Sequence, residues 1–468
     1  MPQTLNNLGA ALADAGRRSE AVETYRRAIA IAPDDPVVHF NLGVVLKDLD
    51  RWDEAIACYR RALALSPSYA DAHFNLMQAA ETGNDMELLR TAVAAAKQSC
   101  GPDPRLAMGE AWLLRRERDY EKARAALEAV PPSENADPTF LSERAYLLGD
   151  LCDRLTDTEA AYAAFLEGGR RARATLAAAR ANPAGFVARI ETLSHRFTPD
   201  WVASWSKAAS TDARAAPVFM IGFPRSGTTL LDSVLRSHHA IAVAEEKPAV
   251  TAMRRALARL PGGEPDGIAA IGADGLATLR QAYFSELDRH LSAPDRDRIV
   301  IDKLPLNIVE VGLIHRVFPD AKFLLVLRHP CDCVLSCFMQ SFRLNDAMAN
   351  FLDLEHSAAL YDRVFRLWET YRRVLPLAVH ASRYEDLVTD FDGTLSPILE
   401  FLGVEWDDGV RNYAETARSR GRISTPSYNQ VTEPIYTRAS GRWESYRAHM
   451  EPVLPPLLDW AEKLGYGR

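Results

Sequence analysis

The chain has no run of five or six Lys or Arg, and its 55 basic residues are outnumbered by 63 acidic ones, for a formal net charge of −8. That balance disfavours nucleic acid as a partner, while leaving room for a local anion pocket. Long hydrophobic runs are also missing: no stretch approaches the roughly 18–20 apolar residues needed to cross a bilayer. The opening "MPQTLNNLGAALADAGRRSE" lacks a basic segment followed by an apolar block, so no cleaved signal peptide is expected and a cytoplasmic location is. The six cysteines (Cys58, Cys100, Cys152, Cys331, Cys333, Cys337) have no disulfide framework spacing. Cys331 and Cys333 are too close for the usual C-x₂-C zinc knuckle, and no His pair completes a site. Reduced, mostly buried thiols and no metal are therefore expected. One further absence carries more information. The stretch "GFPRSGTT" (222–229) has the glycines and final hydroxyl of the phosphate loop GxxxxGK[ST], yet Thr228 stands where the lysine belongs.

What is present divides into two parts. At 468 residues, 47% hydrophobic and 25% charged, the chain has the composition of a globular protein too long for one core. Asn7-Leu8-Gly9 recurs 34 residues later as Asn41-Leu42-Gly43, and after another 34 as Asn75-Leu76-Met77. Ala21, Tyr25, Ala28 and Pro33 return as Ala55, Tyr59, Ala62 and Pro67. This period and residue set resemble the tetratricopeptide repeat, which implies antiparallel helix pairs stacked into a solenoid. Four to five units are expected between 1 and about 170, with weaker pairs at 105–130 and 139–169. A plain helical spacer is the alternative. Residues 171–216 read as a helical and loop junction.

From 217 the pattern changes. Short apolar runs (Val218–Ile221, Ile299–Ile301, Phe323–Leu327, Leu377–Ala381) alternate with longer helical stretches, as in a parallel sheet covered by helices. The run 218–221 delivers the chain to Gly222. The N–H groups of the loop and of a helix starting near Gly227 then face an anion, with Thr228 and Thr229 adding hydroxyls and Arg225 a bidentate cation. A second element, "KFLLVLRHPCDCVLSCF", ends a strand at Arg328, starts a helix at Pro330 and places Ser336 eight residues beyond the arginine. That makes a second anion site at the carboxyl edge of the sheet.

Together, "PRSGTTLL", "LRHPCDCVLS", "SRYEDL" (382–387), "FLGVEWDD", "QVTEPIY" and the closing "KLGYGR" resemble the sulfotransferases that use 3′-phosphoadenosine 5′-phosphosulfate, over roughly 217–468. In particular, the chain resembles bacterial repeat-containing members and tyrosylprotein sulfotransferases. The resemblance implies that Arg225, Ser226, Gly227, Thr228 and Thr229 hold the 5′-phosphosulfate, that Arg328 and Ser336 hold the 3′-phosphate, and that Tyr384 lies near the adenosine. It further implies Glu246, 21 residues after Arg225 in "AVAEEKP", as the base, with Glu245 the obvious competitor. Lys303, in "VIDKLP", becomes the second cation near the transferring group. Ser427, or nearby Ser424, is the serine at the leaving group, and Arg438 or Arg442 reaches the 3′-phosphate. No metal is implied. His238 and His239 are a minor alternative for the base. Two departures stand out: Pro248 replaces the arginine that tyrosylprotein enzymes place two residues after the base, and Glu433 precedes Pro434 where a lysine is usual. The expected activity is sulfuryl transfer to a hydroxyl. A tyrosine of a protein or peptide recruited by the repeats, a carbohydrate and a small molecule all stay open as acceptors. A P-loop kinase or nucleotide hydrolase, or a non-catalytic scaffold, would be the readings from other classes.

Overall fold

Gly9 and Gly43 hold their places in the repeat because an aromatic ring occupies the space a side chain would need. In a computed structural model, which describes residues 2–206, 214–419 and 440–467, a Cβ on Gly9 would lie 2.6 Å from the Tyr25 ring. One on Gly43 would lie equally close to Tyr59. Both tyrosines are buried, so each glycine lets two antiparallel helices close over a ring. The helices pair as Pro2–Asp14 with Arg18–Ile31, Pro36–Asp48 with Trp52–Leu65, Ala70–Thr82 with Met86–Ser99, and Pro104–Arg116 with Tyr120–Ala129. Pro138–Arg154 and Thr158–Ala172 follow. Asp-Pro steps open three of them: Asp35, Asp103 and Asp137 each accept a bond from a first-turn N–H, with proline at the first helical position. The repeat prolines serve as acceptors too, since His39 and His73 Nε2 donate to the carbonyls of Pro33 and Pro67 at 2.8 Å.

By packing, the chain divides into units 1–164 and 165–468. The stretch expected as a junction, 171–216, contributes helices to the second unit: Pro183–Arg196 packs on the long helix Leu354–Val374. Phe197 explains this, being buried against Tyr371, Trp201 and Trp205.

The second unit is built on five parallel strands: β1 (Val218–Gly222), β2 (Ile241–Glu245), β3 (Ile299–Lys303), β4 (Lys322–Leu327) and β5 (Ala378–Arg383), in spatial order β2-β3-β1-β4-β5. Four of them extend the apolar runs read from the sequence. β2 was not among those runs: only Ser237–Ala240 separate it from the preceding helix, and its last residue, Glu245, is charged. Its register sets Glu245 opposite Lys303 on β3, which matters below. The order reverses around β1, so the crevice at the carboxyl ends of β3, β1 and β4 is where an open α/β sheet binds ligands. Among the described residues, no helix is long and apolar enough to cross a membrane.

The opposite face of β3 holds an acid that does no chemistry in this account. Asp302 is fully buried and accepts a 2.7 Å bond from Tyr283 Oη, while its Oδ1 has no hydrogen-bond partner among the described residues. Burial pushes its carboxyl up to about 7, against the lowering effect of the tyrosine bond. The unfolded carboxyl ionises near pH 4, so below that pH both states hold the proton. As pH rises from there through about 7, only the unfolded state releases it, and stability falls. Asp302→Asn lacks this liability. Thermal melts across that range should show Tm shifting in favour of the variant as pH rises, and a pH-independent difference would contradict the assignment.

Candidate active site

Apart from His238 and His239, which precede β2, and Arg442, which opens the 3-10 helix Arg442–Tyr446, the candidate side chains that the structure describes sit at the carboxyl ends of strands, in the loops that follow or on the next helix. The helix Thr228–Arg236 starts directly after Gly227, which adopts φ +98°. Gly227 must be glycine for two reasons. Its backbone is left-handed, and a Cβ there would lie 2.6 Å from the Tyr384 ring. Arg225 is also left-handed, at φ +68°, a conformation uncommon outside glycine that clusters at functional sites. The loop is held from outside by Cys337, whose Sγ lies 3.3 Å from the Pro224 carbonyl.

The two expected anion motifs, more than a hundred residues apart in sequence, meet here. Arg225 Nε donates to Ser336 Oγ at 3.1 Å, and Arg328 Nη1 donates to the Arg225 carbonyl at 3.1 Å. The Arg328 guanidinium also lies 5.4 Å from the centre of the Tyr384 ring, within cation–π range. Ser226 Oγ is buried and has no hydrogen-bond partner among the described residues. An orphaned hydroxyl inside a loop with two arginines suits an anionic ligand, because a buried polar atom left unpaired is costly. Arg225, Ser226, Gly227, Arg328, Ser336 and Tyr384 thus form one cradle. Thr228 and Thr229 are buried in the first turn of its helix. These residues fit a nucleotide bearing phosphate groups.

The second cluster surrounds Lys303, the last residue of β3, which is fully buried. Its Nζ lies 3.2 Å from Glu245 Oε1, 3.3 Å from Glu246 Oε1 and 4.0 Å from Asp232 Oδ2. Burial drives this ammonium toward losing its proton, but Glu246, Glu245 and Asp232 outweigh that, and the lysine is held above its usual range. It is a charged lysine in the interior.

Sequence reasoning did not anticipate several members of the site. Asp232, fully buried on the helix Thr228–Arg236, accepts from Arg236 Nε at 3.0 Å. The signal was an aspartate within the apolar stretch "TTLLDSVL". Asp332 accepts from the backbone of Gly441 and Trp443 at 2.7 and 3.0 Å, and so fixes the segment containing Arg442 to the helix Pro330–Phe338. Glu385 joins the His329 N–H to Tyr466 Oη at 2.9 and 3.0 Å. That contact gives the "LRHP" and "KLGYGR" motifs a common anchor. Ser424, Ser427, Glu433, Pro434 and Arg438 lie outside the described residues. His238 uses both ring nitrogens structurally, Nε2 at the Glu405 carbonyl and Nδ1 accepting from Ala240 N–H. The three cysteines of the Pro330–Phe338 helix are free and buried, and burial pushes the Cys331 thiol up to about 12.

Both parts of the chain are similar to known proteins. Residues 217–408 match the family model described as the sulfotransferase family, and residues 9–50 and 46–79 match the TPR repeat. The chain thus carries a sulfotransferase-family segment at 217–408 behind TPR repeats. An uncharacterized protein of Aquifex aeolicus is 28% identical over 276 residues, covering 57% of this chain and 35% of that protein. Protein-tyrosine sulfotransferase 2 of Gallus gallus is 28% identical over 264 residues, covering 51% of this chain and 68% of its own length. Protein-tyrosine sulfotransferase 1 of Danio rerio is 26% identical over 238 residues, with 48% and 65% covered. The match to this chain therefore spans about a third of the Aquifex protein and about two thirds of each vertebrate enzyme. A solved sulfotransferase domain from the curacin biosynthetic pathway aligns at 18% identity and a TM-score of 0.38, covering 54% of this chain and 98% of that one. At that score it carries no argument.

Proposed function

We propose that this chain transfers a sulfuryl group from 3′-phosphoadenosine 5′-phosphosulfate to the phenolic hydroxyl of a protein or peptide tyrosine. The observation that supports it most is the pairing of Glu246, just past the end of β2, with Lys303 at the end of β3, the neighbour of the strand that leads into an anion loop with no lysine at 228. The donor supplies an activated sulfuryl group on a phosphate leaving group. Arg225, with Ser226 and the threonines of the loop, binds its phosphosulfate end, while Arg328 and Ser336 take the 3′-phosphate and Tyr384 the nucleoside. Ser427, or Ser424, supports the leaving oxygen, and Arg438 or Arg442 adds charge at the 3′-phosphate.

Glu246 accepts the proton from the acceptor hydroxyl as the new O–S bond forms. Lys303 and Arg225 stabilise charge on the moving group and the leaving oxygen, the kind of preorganised electrostatics that in-line transfer of this type relies on. The protein tyrosine as acceptor draws on the names of the relatives and on the tetratricopeptide array, whose repeats offer a surface for recruiting a polypeptide. Sulfur-35-labelled donor tests the reading when given with a tyrosine-containing peptide, its Tyr→Phe counterpart and a panel of sugars. Label on the tyrosine peptide alone is the expected result. Label on sugars would move the acceptor class, and label on none would remove the proposal.

A further inference from the structure

Lys303 faces three carboxylates, and only one can act as the base. Asp232 and Glu245 are buried, whereas the Glu246 side chain is about a third exposed. Two cations stand among them: Lys303, which is fully buried, and Arg236, whose Nη2 is buried although its side chain is 23% exposed, and whose Nε bonds Asp232. Among the described residues, three carboxylates face these two cations, so one carboxylate is in excess. A buried ion pair is strongly destabilised when one partner alone loses its charge. Protonating Asp232 would strip Arg236 of the carboxylate it bonds, whereas Lys303 keeps a carboxylate within 3.3 Å whether Glu245 or Glu246 takes up the proton, and of those two Glu246 is the one that solvent reaches.

The backbone makes this arrangement possible. Successive residues of a strand point to opposite faces, so Glu245 and Glu246 should not reach the same ammonium. They do so because Glu246 leaves β2 at φ +51°, with its N–H still bonded to the Lys303 carbonyl at 2.7 Å. A left-handed glutamate at a strand end is the kind of strain that is kept at functional sites.

We infer that Glu245 and Asp232 are positioning residues whose charges fix Lys303 and Arg236, so that Glu246 alone of the three acids is free to exchange a proton. This rests on the proposed sulfuryl transfer and deepens it. Among the described residues, the charged groups around Glu246 are Lys303 on β3, Glu245 beside it, Asp232 and Arg236 on the helix Thr228–Arg236, and Lys247 next in the chain. Arg254, on the following helix Ala249–Leu257, points to Glu310 at 3.4 Å. Asp302 lies on the other face of β3 with Tyr283.

Removing the Glu245 charge takes a like charge away from Glu246 and leaves Lys303 undercompensated. Both effects favour the Glu246 carboxylate and make it a weaker base. The test uses carbon-13 carboxyl titration of the full chain, with the Glu246 signal assigned by its loss in Glu246→Gln. In Glu245→Gln the Glu246 midpoint should fall by about one unit. The acidic limb of the kcat profile should move the same way, kcat should drop several-fold, and KM for the donor should stay put. Glu245→Asp should restore most of both, and Asp232→Asn should shift the midpoint less, in the same direction. Asp232→Asn carries the test if Glu245→Gln does not fold. A residue that merely supports the fold would lower Tm and leave the midpoint in place, which overturns the inference. So does an acidic limb that vanishes in Glu245→Gln and persists in Glu246→Gln. Failure of the wild-type chain to transfer sulfate would overturn the proposed function instead, and the carboxyl titration would still decide this point.

Discussion

Glu246→Gln is expected to lower kcat by at least about a hundredfold, the usual scale for losing a positioned general base, while leaving the affinity for the donor within a factor of a few. The substitution keeps size and hydrogen-bonding capacity and removes only the ability to take up a proton. Lys303 does not lose its charge, because Glu245 remains at 3.2 Å and Asp232 at 4.0 Å. The cation therefore still meets the transferring group, and donor binding, which depends on the loop and on Arg328, is untouched. Stopped-time assays with labelled donor, alongside calorimetric binding of its desulfated product, separate the two quantities. Turnover within a few-fold of wild type would remove Glu246 from the mechanism.

The second large effect concerns the 3′-phosphate. Arg328→Ala should weaken binding of 3′-phosphoadenosine 5′-phosphate by roughly ten- to a hundredfold, the range for one charge-assisted contact. It should weaken adenosine 5′-phosphate, which has no 3′-phosphate, far less. Part of the loss would be indirect, because Arg328 also bonds the Arg225 carbonyl and lies against the Tyr384 ring. Comparing the two nucleotides isolates the phosphate contribution. Equal losses for both would show that Arg328 only braces the loop.

Much of this was legible in the residues. The 34-residue period is a packing constraint written as Gly9–Tyr25 and Gly43–Tyr59, so sequence spacing and contact say the same thing. The parallel sheet was legible because its central strands are uninterrupted apolar runs. The anion cradle was legible because its glycines, hydroxyls and arginines follow directly on the ends of apolar runs. β2 was hidden by its closeness to the helix before it, and with β2 unread, the register that sets Glu245 against Lys303 could not be read either. Asp232 and Arg236 were hidden for a different reason. An aspartate and an arginine four residues apart on a helix commonly form a surface pair, and only the fold reveals that this aspartate is buried beside Lys303. The shared role of Glu385, between His329 and Tyr466, depends on contacts 56 and 81 residues away. No local pattern encodes that.

The claim underlying the whole account is that the loop "GFPRSGTT" serves a 3′-phosphorylated sulfate donor and is not a nucleotide-hydrolase site that lost its lysine. Titration calorimetry of the full chain with 3′-phosphoadenosine 5′-phosphate and, separately, with ATP tests this most directly. The account predicts binding of the former at least about tenfold tighter than ATP, a gap of about 1.4 kcal/mol. ATP binding as tightly or more tightly would contradict it.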